Sequence, residues 1–481
     1  MYEPERDAGS VAAMPLPGGG YGACQVTSGS AVAALAWWSP APPTLDDLRT
    51  ARPLEPTHHG QGGLLMHLHA TAHPIPPELE WLGHLPVPAE LRDPPATYAD
   101  WTTLQLAAAA QRRWDALVPA AARAVYLSGR SDVLGDFGAG LLQVSTNARR
   151  LDLTAPGAVP HTGAVDWRAL DGFPSCTELT WSGADRGLAA ALAARPCIDT
   201  LVWTDAPSTV DLSGTALADL RVSGPAVSLV RLPAALQRLT LDGAGLPGRI
   251  VAPGRCWLAV DGAGVGTVLP SGLDQVPVAD LRGAGTVSVA GLREALPGLR
   301  SLRVRWQRPP GELHAAAGLA GLDGLTVVGL SGAYGLHADT LPDLPGLRVL
   351  TVDGLRASAA AGLRRRHRRG GVRLALRGAR SDTWLAANLD NPFRDWADDH
   401  PRAATVACKA YADAARAIAA NDADPRQILL AMVDRFNTIH ASLLTLDTLR
   451  REQVGDAVAA LAGRAGVPAD EAFEAFEAFD F

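Results

Sequence analysis

Leu236-Gln-Arg-Leu-Thr-Leu241, Leu299-Arg-Ser-Leu-Arg-Val304 and Leu347-Arg-Val-Leu-Thr-Val352 are three copies of one six-residue phrase. Shorter forms of it recur as Leu151-Asp-Leu153, Leu179-Thr-Trp181, Leu201-Val-Trp203, Leu220-Arg-Val222 and Leu258-Ala-Val260, and again as Leu325-Thr-Val327 and Leu374-Ala-Leu376. Val278-Ala-Asp-Leu-Arg282 is a weaker copy between them. After the first gap the copies lie roughly 19–25 residues apart, which falls among the periods of stacked repeat architectures. Within each copy every second residue is apolar, and in an extended chain such period-two alternation divides the side chains between two faces.

The L-x-x-L-x-L phrase resembles that of leucine-rich repeat proteins over about half of the chain. The resemblance implies a curved parallel sheet with one short strand per repeat, leucines inside, and a concave face made of the alternate residues. It also implies an asparagine three positions after the last leucine. This chain instead places alanine after glycine there, as in Gly183-Ala184, Gly243-Ala244, Gly262-Ala263, Gly283-Ala284 and Gly378-Ala379. A less regular solenoid is therefore expected, with helical returns over 185–194 and 357–369.

In this register the outward positions are Glu178, Thr180, Asp219, Arg221, Arg238, Asp242, Trp257, Asp261, Asp280, Arg282, Arg303, Arg305, Thr351, Asp353, Arg373 and Arg377. Strands of one sheet lie ~4.8 Å apart, so these side chains make a continuous surface. Arginine forks, aspartates and a tryptophan anchor suit the recognition of a protein partner. The competing reading is that the acids and arginines only pair with each other, at ~0–1 kcal/mol per pair.

Upstream, residues 1–13 are expected to be disordered and 14–97 to form a small β-rich module, with strands over 21–27 and 31–38. Residues 17–26, Pro-Gly-Gly-Gly-Tyr-Gly-Ala-Cys-Gln-Val, resemble the opening strands of small β-barrel modules in bacterial toxin-immunity proteins. Six of the chain's twelve histidines crowd this module, at positions 58, 59, 67, 69, 73 and 84. His67 and His69 would share one face of a strand and are the candidate metal ligands; Glu78 and Glu80 are the nearest acids. Ser28 and Ser30 sit in no G-x-S-x-G setting, so nucleophilic chemistry is not expected. Residues 98–144 are predicted to be a helical cap over the first repeat, broken near Pro119.

The repeats are expected to fill 145–390, and 391–481 to be an all-α domain with helices over 403–420, 425–444, 446–465 and 468–479. Asn391-Pro-Phe-Arg-Asp-Trp396 and Phe436-Asn-Thr-Ile-His440 are similar to tails of actinobacterial leucine-rich repeat proteins. Half of the chain's eight phenylalanines fall in its last nine residues, at 473, 476, 479 and 481. They mark either a terminal helix packed on its own bundle or a docking tail. Arg364-Arg-Arg-His-Arg-Arg369 is the one dense basic run. It could grip phosphates, but without interleaved aromatics it reads as a solvated helix face.

Composition narrows the rest. A formal charge of −7 on 481 residues gives no global attraction to nucleic acid. Lys409 is the only lysine among 43 basic residues. The five cysteines form no C-x-x-C, so reduced thiols are expected rather than a disulfide framework or a zinc site. The acidic, polar start is unlike a secretory signal and no apolar run reaches ~20 residues, which reads as a cytoplasmic protein without a membrane span. The fold class expected is thus an α/β leucine-rich-repeat solenoid with a β-rich N-terminal module and an all-α C-terminal bundle. The function expected is a non-enzymatic scaffold for a protein partner, possible in a bacterial conflict system, with no cofactor. A metal-dependent enzyme built on the histidines, or a nucleic-acid-associated protein using the arginine run, are the alternatives.

Overall fold

The computed structural model describes residues 7–468, apart from 17–18, 29–30, 60–63, 71–75, 77–78, 93–96, 100, 129–131, 146–147, 253, 369, 399, 422 and 445. The fourth C-terminal helix expected over 468–479, the terminal phenylalanines, His73, Glu78 and Ser30 lie outside the described residues.

The repeat phrases build one eleven-stranded sheet whose strands are all parallel and follow chain order. The first five strands are Arg150–Asp152, Glu178–Ser182, Thr200–Thr204, Asp219–Val222 and Arg238–Asp242. Trp257–Ala263, Val278–Ser288, Ser301–His314, Val327–Ser331, Val349–Asp353 and Arg373–Arg377 follow. Pairing holds equivalent positions opposite one another, so Leu179, Leu201, Leu220, Leu239 and Leu258 form a single inward column. Trp181, Trp203, Val222, Leu241 and Val260 form a second. All ten are at most 2% exposed, and each is worth roughly 1.5–3 kcal/mol of burial. This continuous column pair is the core.

One copy sits differently from expectation. Leu325 is buried in the turn before its strand, and Val328 and Leu330 occupy the inward columns opposite Leu302 and Val304. The full phrase is therefore Leu325-Thr-Val-Val-Gly-Leu330, and its first leucine is the turn leucine of the six-residue pattern. Two strands also run on: Val278–Ser288 and Ser301–His314 continue their pairing beyond the repeat as far as Ser288 and His314.

The returns alternate in kind. Leu188–Ala193, Leu292–Ala295 and Ala357–His367 are helical. Three successive returns are instead extended, forming a second parallel sheet from Thr209–Asp211, Leu229–Arg231 and Arg249–Val251. Pro207, Pro225, Pro233 and Pro247 break these stretches too often for a helix, while the middle residues Val210, Val230 and Ile250 bury and their strand neighbours are more exposed. Two of the Gly-Ala turns bring backbones so close that no larger residue fits. A Cβ on Gly243 would stand 2.6 Å from the Gly262 carbonyl oxygen, and one on Gly283 only 1.9 Å from that of Ala263. Backbone bonds such as Gly183 N–H to Thr204 O (3.0 Å) and Gly332 N–H to Asp353 O (3.0 Å) extend the ladder where the asparagine amide is missing.

The N-terminal module is a six-stranded sheet in the order Glu80–His84, Ser10–Pro15, Tyr21–Val26, Ala31–Ser39, His67–His69 and Thr97–Tyr98. Ser10–Pro15 corrects the expectation of disorder over 1–13: Val11, Ala12, Ala13 and Met14 are fully buried, paired on both sides. The charged residues before Gly9 dominate the composition of that stretch and hide a four-residue apolar strand behind them. Helix Trp101–Leu117 packs Trp101, Leu104 and Ala108 onto this sheet. A second helix, Ala120–Ser128, follows the break at Pro119.

The segment expected to be a wholly helical cap over 98–144 thus divides. Its last part is a hairpin, Asp132–Asp136 with Leu141–Ser145. Phe137 at its tip is fully buried and stacks on Phe173 at 6.4 Å, so it is the hairpin that continues the repeat core at its first end. Three helices, Pro401–Ala420, Pro425–Ser442 and Thr448–Ala465, form the C-terminal bundle around Phe393, Trp396 and Phe436. Asp424 and Asp447 cap the second and third by accepting from backbone N–H groups. Among the described residues no helix is long and apolar enough to cross a membrane.

Candidate functional site

Because the strands are in register, the outward residues of the long sheet also form columns. One runs Arg150, Glu178, Thr200, Asp219, Arg238, Trp257, Val278 and on to Arg373. The middle column includes Arg221, Thr240, Ala259, Asp280, Arg303 and Thr351. The third includes Asp242, Asp261, Arg282, Arg305, Ser331, Asp353 and Arg377. Every outward residue anticipated from the repeats lies in one of these columns.

Their electrostatics centre on Asp280, which is 9% exposed. Arg282 donates to it through Nη2 at 2.9 Å and Nε at 3.1 Å, and reaches Asp261 through Nη1 at 3.3 Å. Arg305 lies 3.4 Å from the other Asp280 oxygen, and Arg221 crosses an intervening strand to Asp261 at 3.1 Å. Asp219 and Arg238 are looser, at 4.0 Å. The Asp242 carboxylate turns away to accept from Ala244 N–H in the following turn, at 3.0 Å. Asp353 belongs to a different neighbourhood: burial raises its carboxyl pKa, and Asp395 of the C-terminal module raises it further, against Arg377 and Arg380.

Three residues that the repeat pattern could not reveal cover part of this face. Thr102 on the helix Trp101–Leu117 accepts from Arg303 at 2.7 Å. Arg113 of the same helix meets Asp199 at 3.2 Å and donates to the Ala216 carbonyl at 2.7 Å. Thr102 and Arg113 are eleven residues apart, about three turns, so they project from one side of the helix some ~16 Å apart. The strands they touch are five steps, or ~24 Å, apart; the two long arginines span the difference. Thr240 and Ala259, in the stretch between, are 5% and 3% exposed although they point away from the core. Arg149 ties the module again, bonding the His58 carbonyl at 2.9 Å and Glu178 at 2.6 Å.

This covered end is rich in carboxylates. Desolvation raises the Asp199 pKa against the pull of Arg113. Burial pushes Asp219 up to about 6, with Asp199 and Glu178 adding like charge and Arg238 opposing. In the three columns, four acids face three arginines as far as strand Arg238–Asp242; the last four strands carry the four arginines Arg303, Arg305, Arg373 and Arg377 and one acid, Asp353, with Arg305 also reaching Asp280 on the strand before. Arg221, Arg305, Arg373 and Arg377 are exposed, and Trp257 is half-buried.

The other candidates are placed elsewhere. His67 is buried, its Nε2 2.6 Å from Thr27 Oγ1, while His69 is half-buried. Among the described residues no three His, Cys, Asp or Glu side chains converge as a metal site would require. The arginine run ends the helix Ala357–His367, where cations favour the carbonyl end. Arg366 there bonds the Leu341 carbonyl and Asp343. No family model, curated protein or solved structure matches this chain.

Proposed function

We propose that residues 145–390 are a leucine-rich-repeat solenoid and that the protein is a non-enzymatic scaffold holding a protein partner on the concave, polar side of the long sheet. The observation that carries the reading is that this face already serves as a docking surface within the chain. Arg303, Asp199 and Arg149 receive the N-terminal module through Thr102, Arg113 and the His58 carbonyl. The same columns continue for three further strands and end on Arg373 and Arg377 at the sheet edge. Solenoids in general present such extended faces. The partner suited to the open end carries carboxylates that meet Arg305, Arg373 and Arg377 in forked pairs. A setting in a bacterial conflict system rests only on the resemblance of residues 17–26.

The experiment is affinity purification from the native host with wild type and R305E/R373E/R377E as parallel baits. A partner retained by wild type and lost at least tenfold by the variant is expected. Equal retention by both baits, or no reproducible partner, removes the polar face from the function.

A further inference from the structure

Beneath the last two repeats, on the side away from the polar face, the loop 341–347 and the helix Ala357–His367 part to leave a groove of about 380 Å³. Leu341, Leu344, Leu347 and Val372 make its floor, and Arg366 and His367 its rim. Asp343, also at the rim, is already taken by Arg366. Beside the rim Arg364, Arg365 and Arg368 are exposed, which makes this the most basic stretch of the chain.

We propose that the groove seats this chain's own residues 469–481. That segment reads Ala-Asp-Glu-Ala-Phe-Glu-Ala-Phe-Glu-Ala-Phe-Asp-Phe, with four phenylalanines, five acids and no base. Phe473, Phe476 and Phe479 are each followed directly by an acid. An aromatic every third residue suits an apolar floor, and an acid beside each suits a rim of arginines. The polar face offers arginines too, but its middle column there is Gly329, Thr351 and Ala375, without an apolar floor.

The segment also starts at the right end of the molecule. It follows helix Thr448–Ala465, whose Gln453 accepts from Trp396 Nε1 at 2.8 Å. Asp395, next to Trp396, accepts from the Tyr334 hydroxyl at 3.3 Å, and the Tyr334 ring lies against Gly354, one residue beyond the strand Val349–Asp353, whose Leu350 lines the groove. Thirteen residues span at most ~47 Å.

The test is amide hydrogen exchange on the full chain, comparing wild type with F473A/F476A/F479A, R364E/R365E/R368E and R373E/R377E. Exchange at least fivefold faster in 341–350 and 363–376 is expected for the first two variants, with the bundle helices and the R373E/R377E protein unchanged in those segments. The proposal is overturned by unchanged exchange in both of the first two variants. It is equally overturned by changes confined to 401–465, which put the tail on its own bundle, or by loss of protection with R373E/R377E alone, which puts it on the polar face. Protection that depends on protein concentration overturns it as well, because the occupant is then a second copy's tail.

Discussion

The two ends of the polar face are built from the same repeat and differ in what lies on them. At the first end the carboxylates Glu178 and Asp199 are drawn out of water beside the N-terminal module and met by Arg149 and Arg113, while Asp219, still over a third exposed, lies 4.0 Å from Arg238. At the last end Arg373 and Arg377 stand exposed on a sheet edge, and even their inward neighbours Leu374 and Leu376 are only half-buried. A repeat thus fixes which residues face outward, but not whether they meet water or protein. That depends on the neighbours a strand receives.

Core deletion should separate the two ends most. Leu239→Ala in mid-sheet is expected to cost about 2–5 kcal/mol and Leu376→Ala about 1–2 kcal/mol, because the edge leucine has less burial to lose. Equal losses in urea unfolding followed by circular dichroism would show that the sheet is not anchored at its middle.

Arg113→Glu acts on the contact that distinguishes the covered end. It sets a carboxylate beside Asp199 where a cation stood, and breaking a buried pair costs about 3–5 kcal/mol at the fully buried limit. Helix Trp101–Leu117 should lift from the sheet and become sensitive to limited proteolysis, while the strand Arg373–Arg377 keeps its exchange rates. A helix as resistant as in wild type would mean that Arg113 and Asp199 do not hold the module.

A smaller, pH-dependent effect belongs to Asp219. Its carboxyl binds a proton more tightly when folded, with a pKa of about 6 against the ordinary 3.8. The folded state therefore gains stability as pH falls from about 6 toward 4, and loses it as pH rises through that window. Asp219→Asn should raise the melting temperature at pH 7.5 by one or two degrees and leave it near the wild-type value at pH 4.5. A variant less stable than wild type at pH 7.5 would show that the 4.0 Å pairing with Arg238 outweighs desolvation.

Smallest of all, Arg305→Glu is expected to change stability by ~1 kcal/mol or less, since the residue is exposed and Asp280 keeps Arg282. Its consequence should appear in partner retention, not in thermal unfolding.

Alternation at period two made every strand of the long sheet legible, and with the strands the outward set from Glu178 to Arg377. The one slip, at Leu325, came from a leucine that belongs to the turn: L-x-V and L-x-x-V-x-L coincide there, and only pairing with Ser301–His314 separates them. Ser10–Pro15 was hidden because four apolar residues are too few to signal a strand without their partners. The bundle helices were legible from amphipathic spacing and the Asp-Pro start at Asp424-Pro425, since those signals are local.

What the sequence determined by itself, then, is the repeat, its register and the chemistry of each outward position, because all three follow from side-chain alternation within a few residues. Only the tertiary structure decided that Arg113 reaches Asp199 and Thr102 reaches Arg303, across 86 and 201 residues of chain. Such contacts leave no periodic trace, for they depend on how one packed module comes to rest on another. The same packing decides which arginines of the polar face are buried in partnership and which stay exposed.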